Sequence, residues 1–263
     1  FVSDNYRFGI LNRRLPYIAY IGISEYLKKP DLQLKKSSKK IFTEEDNLNI
    51  VFVLGESVRA DHLSLNGYHI ITNPFLSKQE NIISFNNIYT PLTYTAISVP
   101  QILSNKSILD ITKNEVFSLY EVLNNAGFNS EWIGNQTLEK SYEDLVNTNH
   151  KVTIIDKFHS VLSFKKQKDL ELLNYYNAKN ANNSITTLHM IGSHWYYNSR
   201  FDDKFKVFNP VVNSKYVGSS TKQQLINSYD NTILYLDNFL NDLINQLIKN
   251  DDKTILIYLS DHG

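Results

Sequence analysis

The sequence predicts an α/β domain built on a mainly parallel sheet. Two short apolar runs of β-forming residues, "LNIVFVLGES" and "KTILIYLSDHG", read without alternation, as strands do when both of their faces are covered. Helical patterns lie between them, and strands alternating with helices lead to a parallel sheet with helices on its faces. Ligands gather at the carboxyl ends of such strands, and both runs end in residues able to bind one.

Residues 1–29 mix aromatic and basic side chains, with Tyr17, Ile18, Tyr20 and Ile21 at helical spacing between Arg13, Arg14 and Lys28, Lys29. This is either a surface helix packed on the domain or an interfacial one, since Tyr and Lys/Arg favour the membrane–water boundary. The polar, basic, non-periodic "KKPDLQLKKSSKK" reads as a linker. Residues 1–46 are thus expected to be an N-terminal segment with linker, and 47–263 the globular domain. "VFSLYEVLNNAGF" reads as a helix ended by Gly127, and "SITTLHMIG" as a further buried run leading into "SHW". In 222–249, Leu225, Tyr229, Ile233, Leu236, Leu240, Leu243 and Leu247 fall on one stripe of a long amphipathic helix.

The chain has 263 residues, and 27 Lys+Arg against 27 Asp+Glu give a formal net charge of +0. No whole-molecule field draws it to nucleic acid, and no nucleic-acid partner is expected. Having no cysteine, it forms no disulfide, thiolate zinc site or cysteine nucleophile. No apolar run approaches the roughly 18 residues that span a bilayer. "FVSDNYRFGI" lacks the apolar core of a signal peptide, and a chain running from Phe to "SDHG" is expected to be a fragment of something longer.

The chemistry lies at the strand ends. Glu56 follows the first run, and Asp261 and His262 follow the last. Carboxylate and imidazole ligands without thiolate suit Zn²⁺ in a catalytic site. A Thr or Ser hydroxyl as fourth ligand would have its pKa lowered and become a nucleophile. "TYTAISVP" offers Thr93, Thr95 and Ser98. Local rules leave the choice open: Ser98 is the better N-cap, because Pro100 would then fall in the first helical turn.

Seven segments, "NIVFVLGESVRADHLSLNGY", "NPFL", "ISFNNIYT", "TYTAISVPQILS", "LHMIGSH", "YDNTILYLD" and "YLSDHG", follow one another in the order seen in bacterial phosphoethanolamine transferases. From about Asn49 to its last residue the chain resembles this group of the alkaline phosphatase/sulfatase superfamily, which includes lipid A-modifying and colistin-resistance enzymes. The resemblance implies a three-layer α/β/α sandwich with a mainly parallel central sheet. It implies that Glu56, Asp261 and His262 bind zinc, with Thr95, the second threonine of T-x-T-A-x-S-V-P, as nucleophile and fourth ligand. His194 in "GSH" matches a histidine placed near the phosphoryl group or a second zinc, and His189 the other histidine of that motif. Asn135 in "WIGNQ" matches a residue lining the substrate pocket.

The reaction implied is ping-pong. Thr95, activated by zinc, attacks the phosphorus of phosphatidylethanolamine and expels diacylglycerol; lipid A or another surface glycan then takes the phosphoethanolamine from the threonine. The setting implied is a monomer at the bacterial inner membrane, its catalytic domain facing the periplasm behind a preceding membrane domain.

The chain departs from the group in places. Relatives often flank the nucleophile with a cysteine pair, where this chain has Pro91 and Gln101. "GSH" is usually followed by Gly, where this chain has Trp195 with Tyr196 and Tyr197 behind it, which changes the shape of the acceptor pocket. The group also continues past the position of Gly263 with a further active-site histidine. A sulfatase would need the C/S-x-P-x-R motif, but Ile102 stands where Arg is required. A phosphoglycerol transferase would also use a metal-bound threonine, with other flanking motifs. A catalytically dead binding module would have no reason to keep Glu56, Thr95, Asp261 and His262 together. His62, His69, His150 and His159 read as ordinary polar residues, and Arg59 and Asp61 as supports of the strand-end turn.

Overall fold

The computed structural model describes residues 32–37, 40–85, 87–109, 115–156, 168–177, 183–249 and 253–263. The expected helix in 1–29, and His159, lie outside them. Part of the expected linker docks on the domain instead of spanning free. Strand β1 (Gln33–Leu34) pairs in parallel with β3 (Glu115–Val116), and Leu32 beside it is buried. The alternating leucines of "DLQLK" carry this, a two-residue period too short to stand out among lysines.

The central sheet holds β2 (Asn49–Gly55), β4 (Asn129–Gly134), β5 (Lys151–Ile154), β6 (Ser184–His189) and β7 (Thr254–Ser260) in the order β5-β4-β6-β2-β7. Every neighbouring pair is parallel. Side chains of β2 alternate between two apolar layers. Val51 and Val53 face one cluster with helices α4 (Glu171–Tyr175) and α5 (Lys222–Ile248). Phe52 and Leu54 face the other, with α1 (Thr95–Ile102), α2 (Leu119–Asn125) and α3 (Lys140–Val146). Helices on both faces make the three-layer sandwich, as a sheet buried on both sides requires.

Local chemistry sets the helix ends. Ser118 accepts the Tyr120 N–H as N-cap of α2, and Gly127 beyond its end holds φ +93°, a left-handed position that glycine adopts without strain. A capping box of Thr221 and Gln224 opens α5. This helix is more than the amphipathic stripe predicts, because 227–237 are buried all round. Its polar residues receive the loops that cover it: Asn231 accepts the N–H groups of Val207 and Phe208, Ser228 that of Val212, and Asp237 those of Phe75 and Leu76. Strand β7 also differs from expectation. Among the described residues it is an edge strand, and Ile255 and Ile257 are about half exposed, at 48% and 45%.

Candidate active site

The register of the sheet brings the site together. Gly55 on β2 lies opposite Ser260 on β7, so Glu56 and Asp261 leave neighbouring strands at the same level. The Asp261 N–H donates to Gly55 O at 3.1 Å. One ligand atom each from Glu56, Asp261 and His262 lies within 4.8 Å of the other two. His262 Nε2 stands 3.3 Å from Glu56 Oε1 and 3.5 Å from Asp261 Oδ2. Glu56 and the adjacent Asp261 and His262, some two hundred positions further on, thus form one pocket of carboxylate and imidazole.

Helix α1 begins at Thr95, not at Ser98. Tyr94 is its N-cap without a side-chain cap bond, and Pro100 lies inside the helix. Ser98 Oγ donates back to the Tyr94 carbonyl at 3.1 Å, so this hydroxyl serves the helix rather than capping a later one. Thr95, 7% exposed, points its Oγ1 at Glu56 and donates to Oε2 at 2.7 Å. Ser57, at φ 56°, folds over the same carboxylate, and its Oγ donates to Oε1 at 2.6 Å.

The electrostatics of the cluster suit a cation. Burial alone would raise the Glu56 carboxyl, but hydrogen bonds from His262, Ser57 and Thr95 hold it low. Burial and then the Glu56 charge push the Asp261 carboxyl up. The bond to Glu56 raises His262 above its ordinary range. Asp261 Oδ1 accepts the N–H groups of Ser57 (3.1 Å) and His262 (2.8 Å), while buried Oδ2 has no hydrogen-bond partner. A buried carboxylate oxygen left unpaired beside a second carboxylate, an imidazole and a hydroxyl fits a divalent cation.

A second turn closes on the first. Gly192 follows β6 at φ +49°, and a Cβ there would sit 2.5 Å from Glu56 O, so only glycine fits. The Ser193 N–H donates to that same carbonyl at 2.9 Å. Asp169, absent from the sequence reading, pins the turn. Its Oδ1 accepts Asn135 Nδ2 (2.7 Å) and Ile191 N (2.9 Å), and its Oδ2 accepts Gly192 N (2.9 Å). His194 then lies within electrostatic reach of Glu56 and of Glu139, the N-cap of α3. Burial first, and then the Glu56 charge, raise the Glu139 carboxyl. His194 Nδ1 lies 2.7 Å from Trp195 O. A carbonyl only accepts, so it is Nδ1 that donates in this contact.

Arg200 is a further residue the sequence did not disclose. Buried at 5% exposure, it donates from Nε to His194 O (2.7 Å) and from Nη2 to Trp195 O (2.9 Å). No local pattern in "NSRF" marks it, because its partners are backbone carbonyls that only the folded turn presents.

Two expected pocket residues are placed in the interior instead. Asn135, 0% exposed, is spent on Asp169. His189, also 0% exposed, packs against Trp132 (ring centroids 5.0 Å) and Tyr142 (6.1 Å), and burial pushes its pKa down to about 4. Its Nε2 meets Gln136 Nε2 at 2.7 Å. His189, the last residue of β6, is enclosed by these rings, whereas His194, five residues on, is partly exposed and within electrostatic reach of Glu56. Arg59 and Asp61 pair at the surface beside the Glu56 turn, and His62 bonds buried Asp230 at 2.7 Å.

The profile of the sulfatase family matches residues 48–263. The phosphoethanolamine transferase EptA of Escherichia coli (strain K12) is 32% identical over 262 residues, covering 96% of this chain and 46% of that protein. A Kdo(2)-lipid A phosphoethanolamine 7''-transferase of Salmonella typhimurium is 28% identical over 225 residues, covering 83% of this chain and 39% of that protein. Among solved structures, the C-terminal periplasmic domain of phosphoethanolamine transferase EptC from Campylobacter jejuni superposes with a TM-score of 0.74. It is 26% identical and covers 88% of this chain and 73% of that one. The chain spans about half the length of the curated relatives it matches. An α/β/α fold of this topology, a family profile over nearly the whole described domain and the strand-end cluster agree: the chain belongs to the sulfatase family.

Proposed function

We propose that this domain transfers phosphoethanolamine from phosphatidylethanolamine to lipid A or another surface glycan, through a phosphoester on Thr95. The carrying observation is the Thr95 hydroxyl, buried and bonded at 2.7 Å to Glu56 within the Asp261–His262 cluster. The names of the relatives supply the transferred group and the lipid A acceptor. Glu56, Asp261, His262 and Thr95 would hold zinc. When bound, zinc lowers the hydroxyl pKa and offsets negative charge on the phosphoryl oxygens.

The chain's own residues account for the rest. Thr95 Oγ1 forms a bond to phosphorus as the bond to the diacylglycerol oxygen breaks. Its proton, directed at Glu56 Oε2 in the resting site, ends on that leaving oxygen. In the second half the acceptor oxygen bonds phosphorus, the Thr95–phosphorus bond breaks, and the acceptor's proton returns to Thr95. His194, oriented by the Nδ1 bond to Trp195 O and within electrostatic reach of Glu56, relays both protons in this reading. The first-turn N–H groups of α1 point their partial positive charge at the phosphoryl group. The proposed setting is the inner membrane, with this domain facing the periplasm as in the Campylobacter relative.

Zinc content of the purified protein and transfer from a fluorescent phosphatidylethanolamine test this reading. Transfer that Thr95→Ala abolishes supports it; protein that binds no zinc, or a Thr95→Ala variant still active, overturns it.

A further inference from the structure

His194 is followed by a tryptophan that the core does not need. Trp195 is half-buried, and it belongs to none of the three apolar clusters of the described residues. Its only polar group is already used, since Nε1 donates to Lys215 O at 3.1 Å. What remains accessible is hydrocarbon and π surface.

That surface is held rigid and close to the chemistry. The guanidinium of Arg200 grips the carbonyls of both His194 and Trp195, so one buried group fixes the backbone beneath the histidine and the indole. Tyr197 meets the indole edge to face at 5.0 Å and Tyr229 at 5.3 Å. The Tyr229 hydroxyl in turn accepts from Arg59 N (2.7 Å) and donates to Ser57 O (2.8 Å), directly beside Glu56. A row of rings therefore runs from Trp195 back to the turn that carries the metal-type ligands.

We propose that Trp195, backed by Tyr197, is an aromatic platform for a pyranose ring of the acceptor glycan, and so a specificity-determining residue for the second half of the reaction. The inference rests on the transfer reaction proposed above. A rigid indole without a free N–H matches the C–H face of a sugar, and an immobilised aromatic contributes contact area at low entropic cost. The chain's two tryptophans make the platform observable, because Trp132 is fully buried and Trp195 is not.

The test uses the zinc-loaded protein, with chitobiose as a soluble amino-sugar probe and lipid A as full acceptor. Chitobiose is expected to change the tryptophan emission of the wild type but not of Trp195→Phe, where only Trp132 emits. Trp195→Gly is expected to raise the acceptor KM about tenfold, and Trp195→Phe to stay within about threefold of wild type. The mass of phosphoethanolamine-modified Thr95, formed from donor alone, is followed in parallel. A wild type that never forms it refutes the proposed reaction itself. A wild type that forms it, with an unchanged acceptor KM in Trp195→Gly or with emission blind to chitobiose, overturns only the platform. A Trp195→Gly variant that loses donor-driven modification as steeply as transfer assigns the indole to the donor's ammonium, and also overturns it.

Discussion

Thr95 Oγ1 donates a 2.7 Å hydrogen bond to Glu56 Oε2 across 39 residues of sequence. It ties the first residue of α1 to the end of β2. The other hydroxyls nearby have different work: Ser98 bonds the Tyr94 carbonyl within its own helix. Thr95→Ala should therefore reduce transfer by at least about a thousandfold while leaving the thermal unfolding transition cooperative. Ser98→Ala and Thr93→Ala should keep substantial activity, with Ser98→Ala costing about 1 kcal/mol of stability from its lost bond. Parallel lipid-transfer assays and melting curves check both, and an inactive Ser98→Ala beside an active Thr95→Ala would reverse the assignment.

Removing the metal should expose the repulsion between Glu56 and Asp261. With chelator present, Asp261→Asn should be more stable than wild type by about 1–2 kcal/mol, because it keeps the acceptor for Ser57 and His262 but removes a buried like charge. With zinc present the order should invert, and the variant's zinc affinity should fall by more than about a hundredfold, beyond the loss expected for a supporting residue. Denaturant titrations with and without zinc measure this crossover.

Buried His189 should make the domain acid-sensitive. Its folded pKa of about 4 lies below the ordinary value of 6.5, because burial disfavours the charged ring. The unfolded chain therefore binds a proton below about pH 6.5 that the native state refuses until about pH 4. Stability is full above this window and declines as pH falls through it, by about 2 kcal/mol between pH 7 and 5. His189→Gln should be less stable at pH 7 yet show a flatter slope, measured by urea unfolding at several pH values.

Gly192→Ala places a methyl 2.5 Å from Glu56 O, a backbone atom that cannot step aside, at a φ of +49°. A cost of about 2–4 kcal/mol is expected. The displaced turn should weaken zinc binding as well, which isothermal titration of any folded fraction would show. Near-wild-type zinc affinity would mean that the two turns are less coupled than their 2.9 Å Ser193–Glu56 bond implies.

What the sequence disclosed follows a physical pattern. The clustering of Glu56, Asp261 and His262 was legible because ligand sites gather at strand ends and the two apolar runs were unmistakable. The mainly parallel sheet followed from the alternation of strands and helices, and the three-layer arrangement from the resemblance. Residues that act on backbone were not legible. Asp169 and Arg200 bind N–H and carbonyl groups of a turn that exists only once β6 is in place, and no residue spacing announces such partners. Asn135 and His189 differ from expectation in the opposite way, since both are fully buried. Order along a motif placed them near the chemistry, whereas Asn135 is spent on Asp169 and His189 packs against Trp132 and Tyr142. The start of α1 also resisted local rules: a proline in the second turn is unfavourable in isolation, and the bond between Thr95 and Glu56 favours the start that capping preference alone would reject.

Strand β7 leads into Asp261 and His262, and among the described residues it is hydrogen-bonded to the sheet through β2 alone. Half of the proposed ligand set thus comes from the end of an outermost strand of the described residues. A cation gripping Glu56 on the inner strand and Asp261 with His262 on the outer one would act as a clasp across that seam. Loading the site should then slow hydrogen exchange along 254–260 more than in the inner strands, so that catalytic readiness and the integrity of the sheet's edge rise and fall together.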